Sequence, residues 1–278
     1  MKIKNLLEDD TSVNTYGDNT KSTGKEPEPI KLPVQVFSPW SNIIVKFKIP
    51  DEIFDELKAM YEYTMKKEWE SFGKELVGQV SSEPRVTVEI AEKFPNWNSF
   101  CMESVKNFSY AQTQTNLAAE PERFKKYMED PLLTKMNTMW FVVQKPGEYN
   151  PVHIHTNCKI SAIAYLKTPE KQIKDVKEKH PTDGRITFMN NTGTDLSFSN
   201  SMATFEPKAG DMYVFPALQH HMVWPYRSED PNDERISLSF NADIMTKSQM
   251  EASNKHSEKI YEEVKKVKEQ ENLKTITK

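Results

Sequence analysis

TMWFVVQKPGEYNPVHIHTNCKISAIAYL, residues 138–166, sets two runs of β-branched and aromatic residues around a Pro-Gly turn and a pair of histidines. Short runs bounded by Gly and Pro read as strands. The same texture continues in GRITFMN (184–190), GDMYVFP (210–216), HHMVWP (220–225) and RISLSFNADI (235–244). Strands and turns at this density over roughly a hundred residues predict a sandwich or barrel. Between them TPEKQIKDVKEKHPTD (168–183) is polar and predicts an excursion from the sheet.

Upstream the periodicity changes. In FKIPDEIFDELKAMYEYTMKKEW, the side chains of Ile53, Phe54, Leu57, Met60, Tyr61, Met65 and Trp69 recur at helical spacing, which predicts one packing face of a helix. Asp51, after Pro50, is its expected N-cap. Further helices are expected near 98–110 and 119–138. Residues 1–33 are polar and proline-containing, ending in GKEPEPIKLP, and read as a disordered or extended arm. The ordered chain is expected to begin near Val34. One domain then covers 34–246, with a helical part over 51–138 and a β core over 139–246. Residues 247–278 predict a charged helix with a thin stripe of Ile260, Val264 and Val267. Glu251–Lys255 and Glu262–Lys266 would support it at i,i+4 spacing. The fold class is therefore α+β.

Composition excludes several functions. A formal charge of −4 over 278 residues offers no basic stripe for nucleic acid. No apolar run approaches the roughly 18–20 residues of a bilayer span. MKIKNLLEDD brings acids where a signal peptide needs apolar residues. Cys101 and Cys158 are too few for a disulfide framework, so the expected compartment is a reducing cytoplasm. Nothing in the composition sets the oligomeric state.

Histidine placement is more informative. Of six histidines, four fall in two pairs, His153/His155 and His220/His221. Residues i and i+2 of a strand share a face, so His153 and His155 can present two imidazoles to one side. A third ligand from a neighbouring strand would complete a facial set with open positions, the arrangement that suits Fe(II). Alternatively, the pair is two ordinary polar residues of a strand. One of His220 and His221 is expected to turn inward; the spacing alone does not choose between them. Arg235 and Ser237 also share a strand face. A guanidinium inside a barrel is costly unless it meets an anion, and a dicarboxylate would supply one through a bidentate pairing.

The motifs H-x-H, SAIAYL, G-R-I-T-F, P-x-x-G-D-x-x-x-F-P, H-x-V-x-P and R-x-S-x-S-F-N occur in this order between Met139 and Ile244. Together they resemble the Fe(II)/2-oxoglutarate-dependent oxygenases, most closely a group common in bacteriophages and related to the prolyl hydroxylases. Fainter echoes lie at VFSPW and LVGQVSSEP. The resemblance implies a double-stranded β-helix (jelly-roll) core with N-terminal helices packed on it and a C-terminal helix. It implies iron held by His153, His155 and His221, with His221 chosen because Val223 and Pro225 complete its motif. His155 stands where most relatives carry an acid. Arg235 and Ser237 would bind the far carboxylate of 2-oxoglutarate, with O₂ as the second cosubstrate. Ser161 and Tyr165, on the parity of the histidines with Asn157, would line the same cavity. The substrate would be a protein side chain or a small molecule, in the cytoplasm of an infected host if the chain is phage-encoded.

Two other readings stay open on the residues alone. A cupin metal enzyme explains G-x5-H-x-H, but its downstream glutamate is missing and Arg235 has no role there. A non-catalytic interaction protein on the same barrel would use the arm and the terminal helix to bind partners.

Overall fold

Along strand β9 (Arg235–Thr246), Ile236, Leu238, Phe240 and Ala242 turn to one side, and Arg235, Ser237 and Ser239 to the other. This two-residue alternation divides the protein into an apolar layer against helices and a functional interior. The computed structural model describes residues 42–174, 181–190 and 201–256. Within them run β1 (Val45–Lys48), α1 (Asp51–Met65), α2 (Val88–Ala91), α3 (Pro95–Asn116) and α4 (Pro121–Glu129). The β core follows as β2 (Leu132–Gln144), β3 (Asn150–His153), β4 (Ile160–Lys167), β5 (Ile186–Met189), β6 (Met202–Phe205), β7 (Asp211–Pro216), β8 (His221–Val223) and β9.

The strands form two antiparallel sheets. The major one has the order β1-β7-β4-β9-β2 and the minor one β3-β8-β5-β6, the jelly-roll form of a double-stranded β-helix. One face of the major sheet, with Ala162, Ala164, Met212, Val214 and Leu238, packs on Leu57 and Met60 of α1 and on Trp97, Cys101 and Val105 of α3. The opposite face, with Ile163, Tyr165, Tyr213 and Phe215, meets Ile186, Phe188 and Val223 of the minor sheet.

Several local expectations are corrected. The helix expected over 119–138 ends at Glu129, and β2 begins at Leu132 just past Pro131. Proline cannot continue the helix ladder, and Leu132–Met136 pair with Thr246–Ala242 instead. Helix α1 stops at Met65, so Trp69 lies outside it, and Pro50 rather than Asp51 holds the N-cap position, without a side-chain cap. Helix α3 is longer than 98–110 because Pro95 opens it. Strand β1, too short and charged to stand out, exists because it pairs with β7. Its Lys46 and Lys48 reach the buried Asp211 at 2.7 and 3.3 Å, and lysines on an edge strand discourage further pairing.

The excursion after β4 is tied down at both described ends, the far one by Asp183, whose backbone O accepts from Gln172 Nε2 at 2.9 Å and whose carboxylate accepts from Arg227 Nε at 2.7 Å. Asp233 accepts hydrogen bonds from the backbone N–H groups of Glu170 and Lys171, and Gln172 bridges to Ser228. Residues 247–256 are helical, where Glu251 pairs with Lys247 at 4.0 Å rather than with Lys255. The arm over 1–33, the expected start near Val34, the stripe Ile260/Val264/Val267 and the pair Glu262–Lys266 lie outside the described residues. No helix among the described residues is long and apolar enough to cross a membrane.

Candidate metal centre

Strand register makes the cluster. His153 of β3 and His221 of β8 are direct cross-strand partners, and Phe188 of β5 pairs with His221 on its other side. His155 sits just past β3, where its backbone N–H donates to Ala217 O at 2.8 Å. The three rings come together with one nitrogen of each within 4.8 Å of the others. Nε2 of His155 and Nε2 of His221 lie 3.3 Å apart. Nitrogens about 2.1 Å from one ion at right angles sit about 3 Å apart, so little closure is needed to seat a metal.

The other ring nitrogens are already engaged. His153 Nδ1 lies 2.7 Å from Pro151 O and His221 Nδ1 lies 2.8 Å from Gln219 O. A carbonyl can only accept, so each Nδ1 carries the proton and each Nε2 keeps its lone pair for a metal. Burial, and then the charge of His153, hold His155 down to about 3. Burial followed by the neighbouring imidazoles pushes His221 well below the ordinary histidine value, and burial lowers His153. The cluster is thus neutral near pH 7, as ligation requires.

A stability prediction follows for the metal-free protein. Above about pH 6.5 these histidines are neutral in both folded and unfolded chains and contribute no pH dependence. Below it the unfolded chain binds protons that the folded chain refuses, so stability falls with falling pH. For His155 alone the loss at pH 5 is about 2 kcal/mol, and His153 and His221 act in the same direction. Glu83, raised to about 7 by burial and then by Glu148, opposes this, because its folded form takes up a proton first. Urea titrations at pH 7.5 and 5.0 on wild type and Glu83→Gln should show the larger loss at pH 5.0 in the variant.

The far wall of the cleft carries Arg235, Ser237 and Ser161 beside the histidines, with Trp140, Val142 and Asn150. Arg235 is 1% exposed. Its guanidinium donates to Gly184 O at 2.7 Å and to Gln144 Oε1, while Nε has no partner. Among the described residues no carboxylate pairs with it. Burial lowers its pKa, with Tyr165 and Tyr226 acting in the opposite direction. Ser161 Oγ, Ser237 Oγ and Tyr165 OH are also buried without partners. The Arg235 guanidinium lies 5.9 Å from the Tyr165 ring centroid. A buried cation that shares its cleft with two idle hydroxyls, those of Ser161 and Ser237, fits an anionic ligand with hydrogen-bonding oxygens.

The structure therefore brings His153, His155, His221, Arg235, Ser237 and Ser161 to one cleft. Tyr165 lies behind it, fully buried against Tyr213. Asn157 is turned away: it is exposed, with a left-handed φ of 59°, which breaks the alternation between His155 and Ile160. Sequence reasoning missed Gln144, the register partner of Arg235. It also missed Trp140, whose ring centroid is 6.0 Å from that of His155. Their even parity along β2 was readable, but its meaning depended on which strand lay alongside.

Residues 138–241, somewhat more than a third of the chain, match the family described as "Putative 2OG-Fe(II) oxygenase". No curated protein sequence matches the chain. Similar solved structures include a prolyl-4-hydroxylase from Pseudomonas putida, at 14% identity and TM-score 0.40, covering 71% of this chain and 91% of that one. Another is a Trichoplax adhaerens prolyl hydroxylase solved with a peptide fragment of the hypoxia inducible factor oxygen degradation domain. It is 11% identical with a TM-score of 0.45, over 72% and 82% of the two chains. A third is the viral collagen prolyl hydroxylase of Paramecium Bursaria Chlorella virus-1, 15% identical with a TM-score of 0.37, over 72% and 94%. Likeness at this level carries nothing about substrate. The family match, most of the paired strands and the histidine cluster fall on the same segment, and in that segment the chain is similar to the 2OG-Fe(II) oxygenases, a family that uses Fe(II), 2-oxoglutarate and O₂.

Proposed function

We propose that this protein is an Fe(II)- and 2-oxoglutarate-dependent hydroxylase acting on a protein side chain or a small molecule. His153, His155 and His221 hold the iron. Arg235 and Ser237, with Ser161 and Tyr165 behind them, receive the far carboxylate of 2-oxoglutarate. One observation carries this reading: three neutral imidazoles converge at one end of a cleft whose wall holds a buried, acid-free arginine. When bound, the iron would activate O₂ as the oxidant, with 2-oxoglutarate as the co-reductant that leaves as succinate and CO₂, one oxygen atom ending in succinate and the other in the hydroxylated substrate.

The chain's own residues do the positioning. Pro151 O and Gln219 O fix the tautomers of His153 and His221. Gln144 and Gly184 aim the guanidinium of Arg235. Phe188 and Phe215 pack on His221, with ring centroids 5.7 and 4.7 Å from it, and keep water from that side. Because His155 replaces an acid, the ligand set is neutral and leaves the full charge of the iron in place. A dianionic cosubstrate then meets more positive charge than in a His-x-Asp site.

The test is titration of the anaerobic Fe(II) protein with 2-oxoglutarate, following the metal-to-ligand charge-transfer band. Absence of the band would remove the cosubstrate assignment. A companion variant, His155→Asp, should retain stoichiometric iron and form the band with weaker 2-oxoglutarate affinity, since the added carboxylate cancels one charge. If the aspartate variant folds but holds no iron, the site needs three imidazoles and a cupin-like chemistry leads.

A further inference from the structure

Residues 70–86 cross alongside β2, an edge strand of the major sheet, held by antiparallel bridges from Ser82 to Val143 and Arg85 to Trp140, and by one from Gln79 to Tyr149. From this crossing Glu83 turns into the cleft beside Leu76, Val77, Asn150, His153 and His155. It is 2% exposed, and its Oε2 has no hydrogen-bond partner. The backbone behind it is pinned, with Phe72 N–H donating to Glu83 O at 2.8 Å. Two glycines give the carboxyl its place. A Cβ on Gly73 would lie 2.7 Å from Glu83 Oε2, and one on Gly78 would lie 3.2 Å from Oε1 and collide with Asn150.

A neighbouring acid shows what a structural carboxylate looks like here. Glu148 accepts from Ser81 N–H at 3.0 Å and Lys145 N–H at 2.8 Å, closing the turn after β2. Glu83 does nothing comparable. No cation pairs with it among the described residues, and the charge it feels is that of Glu148, of the same sign. An unpaired buried carboxyl is costly, and this one is aimed into the cleft past apolar walls formed by Leu76, Val77, Trp140 and Val142. The partner it lacks is a positive one with an apolar approach.

We propose that Glu83 is the substrate-recognition group of this cleft, and that the substrate presents a positively charged nitrogen, an amine or guanidinium on an aliphatic stem, to its carboxylate. The inference rests on reading the cleft as the oxygenase site. It narrows the substrate to lysine-like or arginine-like side chains and small cationic amines.

The experiment compares matched probes that differ in charge. N-acetyl-lysine amide is set against N-acetyl-norleucine amide, and N-acetyl-arginine amide against N-acetyl-citrulline amide. Binding is measured by calorimetry on protein loaded anaerobically with Fe(II) and 2-oxoglutarate, and again on unloaded protein. At least one cationic probe should bind about tenfold or more tightly than its neutral counterpart. Glu83→Gln, which keeps shape and removes charge, should erase that preference. Equal binding within both pairs, no binding of any probe, or a preference that survives in a folded Glu83→Gln protein would each overturn the proposal. The wild-type comparison stands even if the variant fails to fold. If 2-oxoglutarate binds but no charge preference appears, only the role of Glu83 falls. If 2-oxoglutarate fails to bind, the oxygenase reading falls, and the unloaded comparison still decides whether Glu83 selects cations.

Discussion

His221→Ala is expected to abolish stoichiometric Fe(II) binding, while His220→Ala leaves affinity within about threefold of wild type. The two residues are adjacent, yet His221 opens β8 and joins the three-nitrogen cluster, whereas His220 precedes the strand and is not part of it. His221 is 3% exposed and contributes to the three-nitrogen cluster. His220 is half-buried, stands outside that cluster, and serves through its carbonyl, which accepts from Met189 N–H at 2.9 Å. Removing His221 leaves His153 and His155 as two ligands on one chain segment, too few for a facial set. Iron quantification after desalting, with circular dichroism to show both variants folded, is the check. Equal losses in the two variants would mean that β8 has a different register.

Arg235→Met is expected to retain iron and to weaken 2-oxoglutarate binding by about two orders of magnitude or more. The guanidinium is the one cation facing the cleft whose charge is not matched by an acid among the described residues. A desolvated charge pair with hydrogen bonds is worth several kcal/mol when one partner is deleted. The substitution also strands Gln144 Oε1 and Gly184 O, which accept from Arg235. Each buried acceptor left unpaired costs about 1–3 kcal/mol, so a lower melting temperature accompanies the loss. The charge-transfer titration separates the two effects, because iron retention shows that the histidine end is intact. Unchanged 2-oxoglutarate affinity in a folded Arg235→Met protein would remove the assignment of this wall.

Much of the candidate site was legible before any coordinates. His153 and His155 are two apart, and Arg235 and Ser237 are two apart, so each pair had to share a face if its segment was a strand. The β texture of 184–190, 210–216 and 235–244 gave good reason to expect strands. The helix ends were harder. In KYMEDPLLTKMNT only Pro131 marks where the helix stops and a strand begins. Strand β1 had even less to show, because VKFK becomes a strand only by hydrogen bonding to β7.

By itself, the sequence determined the parity of every strand and the residue types available to bind metal and anion. These follow from covalent spacing and side-chain chemistry, which need no partner. Only the tertiary structure decided which faces meet. It set His153 opposite His221, put Gln144 beside Arg235, and folded residues 70–86 over the cleft so that Glu83 points inward. Register and crossing are settled by hydrogen bonding and burial between segments tens of residues apart. The energy that fixes them belongs to the pair and is written in neither strand alone.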